Sequence, residues 1–189
     1  AEAESRVGTI ALVHEALAGS PGEEVDFDSI CQRVLVMARE AAIGQVARPP
    51  RIDVEGAVGV LKSDVATPLA MVLSEIVLNA VEHSGAENVR VQCRNEAGLV
   101  TLTVSDDGRG FDAAHADGLG LQIVATLVRD QLRGRMGILS RGFDPWPQRV
   151  HPPGWEAANP TAVVSVRIQC PVTTQGAGSA TADGHVHPG

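Results

Sequence analysis

The stretch VSDDGRGFDAAHADGLGLQIV, residues 104–124, decides the fold of this chain. It continues a β-branched run, VTLTV, and holds four glycines and four acidic residues. Within it, GRGFDA (108–113) matches a dinucleotide-binding fingerprint, but no strand–helix–strand unit surrounds it. An EF-hand loop is excluded as well, because the acids do not alternate before a glycine and no glutamate follows at the required spacing. The stretch therefore predicts a strand, a glycine-containing loop and a helix that begins near residue 119.

The elements on either side set the fold class. Strands and helices do not alternate strictly, which favours an α/β fold of the α+β two-layer sandwich type, with a mixed, mostly antiparallel sheet and helices on one face. Periodicity predicts helices over 5–18, 27–43, 63–85 and about 119–132, the third capped by Ser63 or Asp64. It predicts strands within 47–56, 88–98, 99–106, 134–142 and 161–171. The domain prediction is a helical stub over 1–45, a main domain over 46–171 and a disordered tail over 172–189.

Composition narrows the function classes. The net charge of -8 argues against a nucleic-acid or anionic-membrane binder. No signal peptide is visible and no apolar run is expected to span a bilayer, so the prediction is a cytoplasmic segment with three buried free thiols. The chain has a single lysine, Lys62, in GAVGVLKS (56–63). This nearly matches a P-loop, but Leu61 stands where the loop needs glycine.

The predicted helix over 63–85 carries a polar stripe. Glu75 and Asn79 are four residues apart, and Glu82 and His83 follow one turn later, so they project from one side. An exposed polar stripe is usually only solvated, and that interpretation stays open from the helix alone. A carboxylate and an amide oxygen one turn apart are also hard ligands suited to Mg²⁺.

The glycines of residues 104–124 form two pairs. Asp106 ends a strand and precedes Gly108 and Gly110, so its carboxylate could accept a hydrogen bond from an amine while the glycines let a flat base approach. Gly118 and Gly120 open a helix, whose free N–H groups and positive dipole end favour phosphate.

Three ordered segments, SEIVLNAVEHS (74–84), VSDDGRGFD (104–112) and GLGLQIV (118–124), resemble the N box and the two glycine boxes of the Bergerat ATP-binding fold. That superfamily includes sensor histidine kinases, gyrase-type and mismatch-repair ATPases, and a chaperone family. The sequence is most similar to the catalytic domain of histidine kinases with a second-type dimerisation and phosphoacceptor domain. The resemblance covers about residues 5–135 and the last strand.

The resemblance implies roles at the metal and base ends of the site. Asn79 would coordinate Mg²⁺, and Glu75 would support the metal or orient a water. His83 would lie near the phosphates. Asp106 would contact adenine, with Gly108 and Gly110 beside it.

The resemblance also implies a phosphate wall. Gly118, Leu119, Gly120 and Leu121 would form it, and residues 111–117 would be a lid over ATP. Thr161 stands where the family has a threonine before the last strand, although Pro160 replaces the glycine expected before it.

The implied function is a protein-histidine kinase that binds Mg-ATP. The γ-phosphoryl group would pass to a phosphoacceptor helix of its own or a partner chain, in a homodimer that serves a response regulator. His14 is interpreted as a packed helical residue, so the acceptor histidine is expected outside this chain. The alternatives are a self-contained ATPase, an anti-sigma-type serine kinase of the same fold, and a non-catalytic nucleotide-binding module.

Overall fold

The computed structural model describes residues 22–43, 46, 48–110, 119–140 and 162–170. The predicted helix over 5–18, the lid over 111–117, Gly118, Thr161 and the tail lie outside these residues. The helices are α1 (Phe27–Ala42), α2 (Ser63–His83) and α3 (Leu119–Thr126), and α3 continues into a π-helical turn, Leu127–Gln131. The strands are β1 (Glu24–Asp26), β2 (Arg51–Gly56), β3 (Val60–Lys62), β4 (Asn88–Glu96), β5 (Leu99–Asp106), β6 (Arg135–Ser140) and β7 (Ala162–Gln169).

Five strands form the main sheet in the order β2-β4-β5-β7-β6. Strand β2 runs parallel to β4, and the other neighbours are antiparallel, so the predicted mixed, mostly antiparallel sheet is confirmed. Strands β1 and β3 form a separate two-stranded ribbon. Strands β4 and β5 form an antiparallel hairpin, which confirms the strands predicted there from alternating apolar and polar residues.

The core lies between this sheet and the helices. Alternate residues of β5, namely Val100, Leu102 and Val104, are buried against it, as period-two side-chain alternation requires. Helix α2 crosses the middle of the core and buries residues such as Leu69 and Leu73 completely. Aliphatic side chains fill this layer, in keeping with a chain that is only 3% aromatic.

Helix α1 belongs to the same core. Phe27, Val34 and Leu35 are almost fully buried, and α1 packs along α2. The core therefore extends into the segment predicted as a helical stub, whereas the domain boundary after residue 45 stays a prediction. The amphipathic pattern of α1 indicated a buried face but could not indicate which element covers it.

The start of α2 differs from the predicted cap. The helix begins at Ser63 itself, and Lys62 occupies the N-cap position without a side-chain hydrogen bond. The Ser63 hydroxyl instead accepts a hydrogen bond from the Gly22 N–H at 3.1 Å. The prediction of Ser63 or Asp64 as cap was wrong because both residues already lie within the first turn of the helix.

By length and hydropathy alone, α2 could cross a membrane, contrary to the expectation from the sequence that no segment is long and apolar enough. In the fold, however, 67% of its most apolar window is buried among the other elements. Its apolar character is therefore explained by its place at the centre of the core.

Candidate functional site

Asp106 is the buried acid of the site. It is the last residue of β5, where its backbone pairs with Val89 of β4 and Ala162 of β7. Only 5% of Asp106 is exposed. Its Oδ1 accepts a hydrogen bond from the Gly108 N–H at 3.0 Å, which fixes the carboxyl group at the end of the central strands.

Burial changes the protonation of this carboxyl group. Desolvation raises the pKa of Asp106 to about 6, while the Gly108 N–H lowers it, the charge of Asp107 raises it and a hydrogen bond with Ser84 lowers it. Desolvation is the largest of these effects. It raises the pKa because the ionised carboxylate loses its hydration on burial. Asp106 is thus an acid held ionised at neutral pH at some energetic cost, as is frequent at functional sites.

The turn after Asp106 packs against the end of α2. A Cβ atom on Gly108 would lie 2.4 Å from the Ser84 carbonyl oxygen and 2.8 Å from the Ser84 Cβ. Glycine is therefore required here by the approach of the helix end, a reason separate from the predicted contact with a base. Gly110 has a φ of 80°, which glycine adopts without strain.

Two residues of this turn were not singled out from the sequence. Asp107 Oδ1 accepts hydrogen bonds from the backbone N–H groups of Glu87 and Asn88, each at 2.9 Å. Arg109 donates to the carbonyl of His83, the last residue of α2, from Nε at 3.1 Å and Nη2 at 2.8 Å. Both contacts join segments distant in sequence, so hydrophobic periodicity could not have predicted them. The only signal was the position of Asp107 and Arg109 within the first glycine box.

The polar stripe of α2 leads into this turn. Glu75 and Asn79 are half-buried and His83 is exposed. Asn79 precedes Ser84 by five residues, or about 7.5 Å along the helix axis. The helix that carries the predicted metal ligands therefore ends directly against the predicted base-contacting turn.

The chemistry of this stripe fits Mg²⁺. Among the described residues no three His, Cys, Asp or Glu side chains cluster as a metal site. Magnesium often uses only one or two protein oxygen ligands, together with waters and substrate phosphates. Glu82, in the last turn of α2, has a buried Oε1 atom without a hydrogen-bond partner among the described residues. A carboxyl oxygen without a hydrogen-bond partner, on the same side of the helix as Asn79 and Glu75 by their spacing, is compatible with a bound cation.

Helix α3 contains most of the residues that were predicted to form the phosphate wall. Gly120 and Leu121 are buried in its first turn, and α3 packs against α2. The backbone of Leu119 begins the helix. Gly118 and Thr161, predicted beside the phosphates, lie outside the described residues.

The near-P-loop at residues 56–63 has another role. Its Val58 and Gly59 N–H groups donate to the carboxylate of Asp28 in α1, at 2.8 and 3.0 Å. These amides are therefore already occupied by an internal acid. A groove of about 210 Å³ lies on the opposite face of the sheet, among side chains of β4, β5 and β7, and none of the predicted site residues lines it.

The fold is an α/β sandwich in which the turn after buried Asp106, at the end of β5, packs against the end of α2. Helix α2 also carries Asn79 and Glu75. Residues 64–172 match the family described as histidine kinase-, DNA gyrase B- and HSP90-like ATPase. The chain belongs to this family. The resemblance inferred from the three sequence boxes is confirmed.

Individual relatives are histidine kinases by name. The sensor histidine kinase PdtaS of Mycobacterium tuberculosis is 42% identical over 146 residues, which cover 72% of this chain and 29% of the relative. The chain thus spans less than a third of that protein. The sensor histidine kinase MctS of Rhizobium johnstonii is 31% identical over 88 residues, 47% of this chain and 16% of the relative.

Solved structures agree with the fold. The histidine kinase domain of the Erythrobacter litoralis EL346 blue-light activated histidine kinase superposes with a TM-score of 0.64 at 18% identity, covering 88% of this chain and 74% of that chain. The catalytic domain of histidine kinase ThkA gives a TM-score of 0.58 at 16% identity, covering 80% and 98%. At such identities these likenesses concern the fold alone.

Proposed function

We propose that this domain binds Mg-ATP and donates the γ-phosphoryl group to a histidine of a dimerisation domain. The observation that carries the proposal is the junction of buried Asp106 with the end of α2, the helix that bears Glu75 and Asn79. Membership of the ATPase family and the sensor kinase relatives support it.

In this proposal, different residues contact the base and the phosphates of ATP. The Asp106 carboxylate accepts a hydrogen bond from the adenine amine, a contact that guanine, with a carbonyl at the same position, cannot make. The first turn of α3 around Gly120 directs backbone N–H groups toward the phosphates. Gly118, Leu119, Leu121 and Thr161 complete this wall, and His83 lies near the phosphates.

Asn79 would hold Mg²⁺ directly, and Glu75 would act through a water. The metal, when bound, neutralises phosphate charge. The domain itself contributes mainly positioning and electrostatics, as in other phosphoryl transfer enzymes. The acceptor histidine attacks in line, so the domain needs no nucleophile of its own.

The setting of the reaction is also a proposal. The acceptor helix would belong to the same or a partner chain of a homodimer, in the cytoplasm, and a response regulator would receive the phosphoryl group. No nucleic acid or membrane partner is proposed for this segment, in view of its net charge of -8.

Phosphotransfer with labelled ATP tests this function. The chain is incubated with Mg-ATP labelled at the γ-phosphate, with and without a separate dimerisation hairpin that contains a phosphoacceptor histidine. Acid-labile label on the hairpin, lost with Asn79→Ala, is the expected result. Release of free phosphate without transfer would support a self-contained ATPase that uses Glu75, and transfer to serine would support the serine kinase alternative. ATP binding without turnover would leave a nucleotide-binding module.

A further inference from the structure

Glu82 has a buried carboxyl oxygen that the fold leaves unpaired. The residue lies in the last turn of α2, and its Oε1 atom is shielded from solvent without a hydrogen-bond partner among the described residues. A buried polar atom without a partner costs free energy, so native proteins retain few of them without a functional reason. The Oε1 atom of Glu82 is therefore a candidate contact for a ligand.

The helix places Glu82 on the same side as the predicted metal ligands. At 3.6 residues per turn, Glu82 is rotated by about 20° from Glu75 and by about 60° from Asn79 around the axis of α2. It lies about 4.5 Å further along that axis than Asn79. All three side chains belong to α2 and are half-buried, so they form one polar stripe on a helix that is otherwise largely buried in the core.

The charged groups near the end of α2 favour a cation as the partner of this oxygen. The Arg109 guanidinium donates from Nε and Nη2 to the His83 carbonyl oxygen and makes no hydrogen bond to Oε1 of Glu82. Nucleotide phosphates would add negative charge next to a carboxylate, and repulsion between partly buried charges is weakly screened. Mg²⁺ removes this repulsion, because it binds phosphate oxygens together with one or two carboxylates.

We propose that Glu82 makes nucleotide binding depend on the divalent cation, because its Oε1 atom binds the cation held by Asn79 and its charge repels phosphates that carry no cation. Glu82 thereby distinguishes Mg-ATP from free ATP. This role rests on the proposed function, because it concerns the same nucleotide site. It differs from the role of Glu75, which acts through a water.

The variant Glu82→Gln tests this role through the cation ratio, defined as the Kd of ATP in EDTA divided by the Kd of ATP in excess Mg²⁺, both measured by calorimetry. The variant keeps the shape of the side chain and removes its charge. ATP in EDTA should bind more tightly than to wild type, because the repulsion is removed. Mg-ATP should bind more weakly, because one anionic ligand is lost. Since a contact with a charged group changes Kd by about tenfold or more, the cation ratio should fall at least about tenfold.

The matched control is Glu87→Gln. Glu87 follows Glu82 by five residues, just beyond the end of α2, and its side chain is exposed. The control removes the same charge and leaves the Glu82 carboxylate in place. Its cation ratio should stay within about twofold of wild type, because solvent screens an exposed charge. An equal fall of the cation ratio in both variants would indicate a general effect of net charge and would overturn the role of Glu82.

A second variant, Glu82→Asp, keeps the charge and withdraws the carboxylate by one methylene group. ATP in EDTA should bind to it as weakly as to wild type, whereas Mg-ATP should bind more weakly than to wild type. This variant carries the test if Glu82→Gln does not fold. A wild-type cation ratio near one, or an unchanged ratio in the folded Glu82 variants, overturns the inference even if the wild type binds Mg-ATP. Failure of the wild type to bind ATP in either solution overturns the proposed function instead.

Discussion

Replacing Asp106 with asparagine should stabilise the nucleotide-free protein at neutral pH. The carboxyl group is 5% exposed, and burial raises its pKa from 3.8 to about 6. The folded state therefore binds this proton more tightly than the unfolded state, and unfolding free energy falls as the pH rises from about 4 to about 6. Asp106→Asn removes the ionisation and keeps an oxygen that can accept the Gly108 N–H.

The magnitude follows from the size of the shift. A difference of about 2.2 pKa units at about 1.36 kcal/mol each gives an upper limit of about 3 kcal/mol at pH 7. The gain should vanish near pH 4, where Asp106 is protonated in both states. For a chain of this length, each kcal/mol corresponds to about 2–4 °C in Tm, so the variant should melt above wild type at pH 7 by at most about 6–12 °C.

The assay is urea unfolding of both proteins without nucleotide between pH 4 and pH 8. The control, Asp107→Asn, should change stability in the opposite direction. Although partial burial opposes it, hydrogen bonds from Asn88 and from the backbone of Asn88 and Glu87 lower the pKa of Asp107. Its loss should destabilise by about 1 kcal/mol, since the site is exposed. If Asp106→Asn were no more stable than wild type at pH 7, the ionised Asp106 would not destabilise the nucleotide-free protein. That result would refute the reasoning from its burial and raised pKa.

Three further outcomes are expected. Gly108→Ala should lower the unfolding free energy by about 1–3 kcal/mol in urea titrations, because its methyl group would overlap the Ser84 carbonyl oxygen; an unchanged midpoint would refute the close approach. The three buried cysteines should react with an aromatic disulfide reagent only after unfolding, because the fold shields all three from solvent. The hydrogen bond between Cys31 and Cys93, together with burial, raises the pKa of the Cys93 thiol, and burial raises the pKa of the Cys170 thiol, whereas the same hydrogen bond lowers the pKa of Cys31; rapid reaction of the native protein would argue against this packing. Leu73→Ala should cost about 2–5 kcal/mol by the same urea assay, because Leu73 has no exposed surface, and a loss below about 1 kcal/mol would place it outside the core.

Local pattern was sufficient to predict α2, β4 and β5. Their apolar residues repeat with helical or strand periods, and those periods survive in the buried faces. The position of Asp106 at a strand end could be predicted for the same reason. The order of the three boxes, which resembles that of the family, then allowed an ATP site to be predicted at these residues.

Contacts between distant segments could not be predicted in this way. Ser84 meets Gly108, 24 residues later, and nothing in the composition of either segment encodes the other's position. Strand β2 pairs in parallel with β4, and α1 is buried against α2. Both arrangements are likewise determined by tertiary packing and not by local sequence. Sequence periodicity identifies a face to be buried, whereas its partner is selected by the whole fold.

Calorimetric binding of Mg-ATP and Mg-GTP at pH 8 tests the central claim most directly. The wild type should bind Mg-ATP, and Mg-GTP should bind at least about tenfold more weakly, because an ionised Asp106 accepts an amine and repels a carbonyl oxygen. Asp106→Asn should lose at least about tenfold in ATP affinity while remaining folded. Equal binding of the two nucleotides, with ATP affinity unchanged in Asp106→Asn, would contradict the assignment of Asp106 as the adenine-contacting residue.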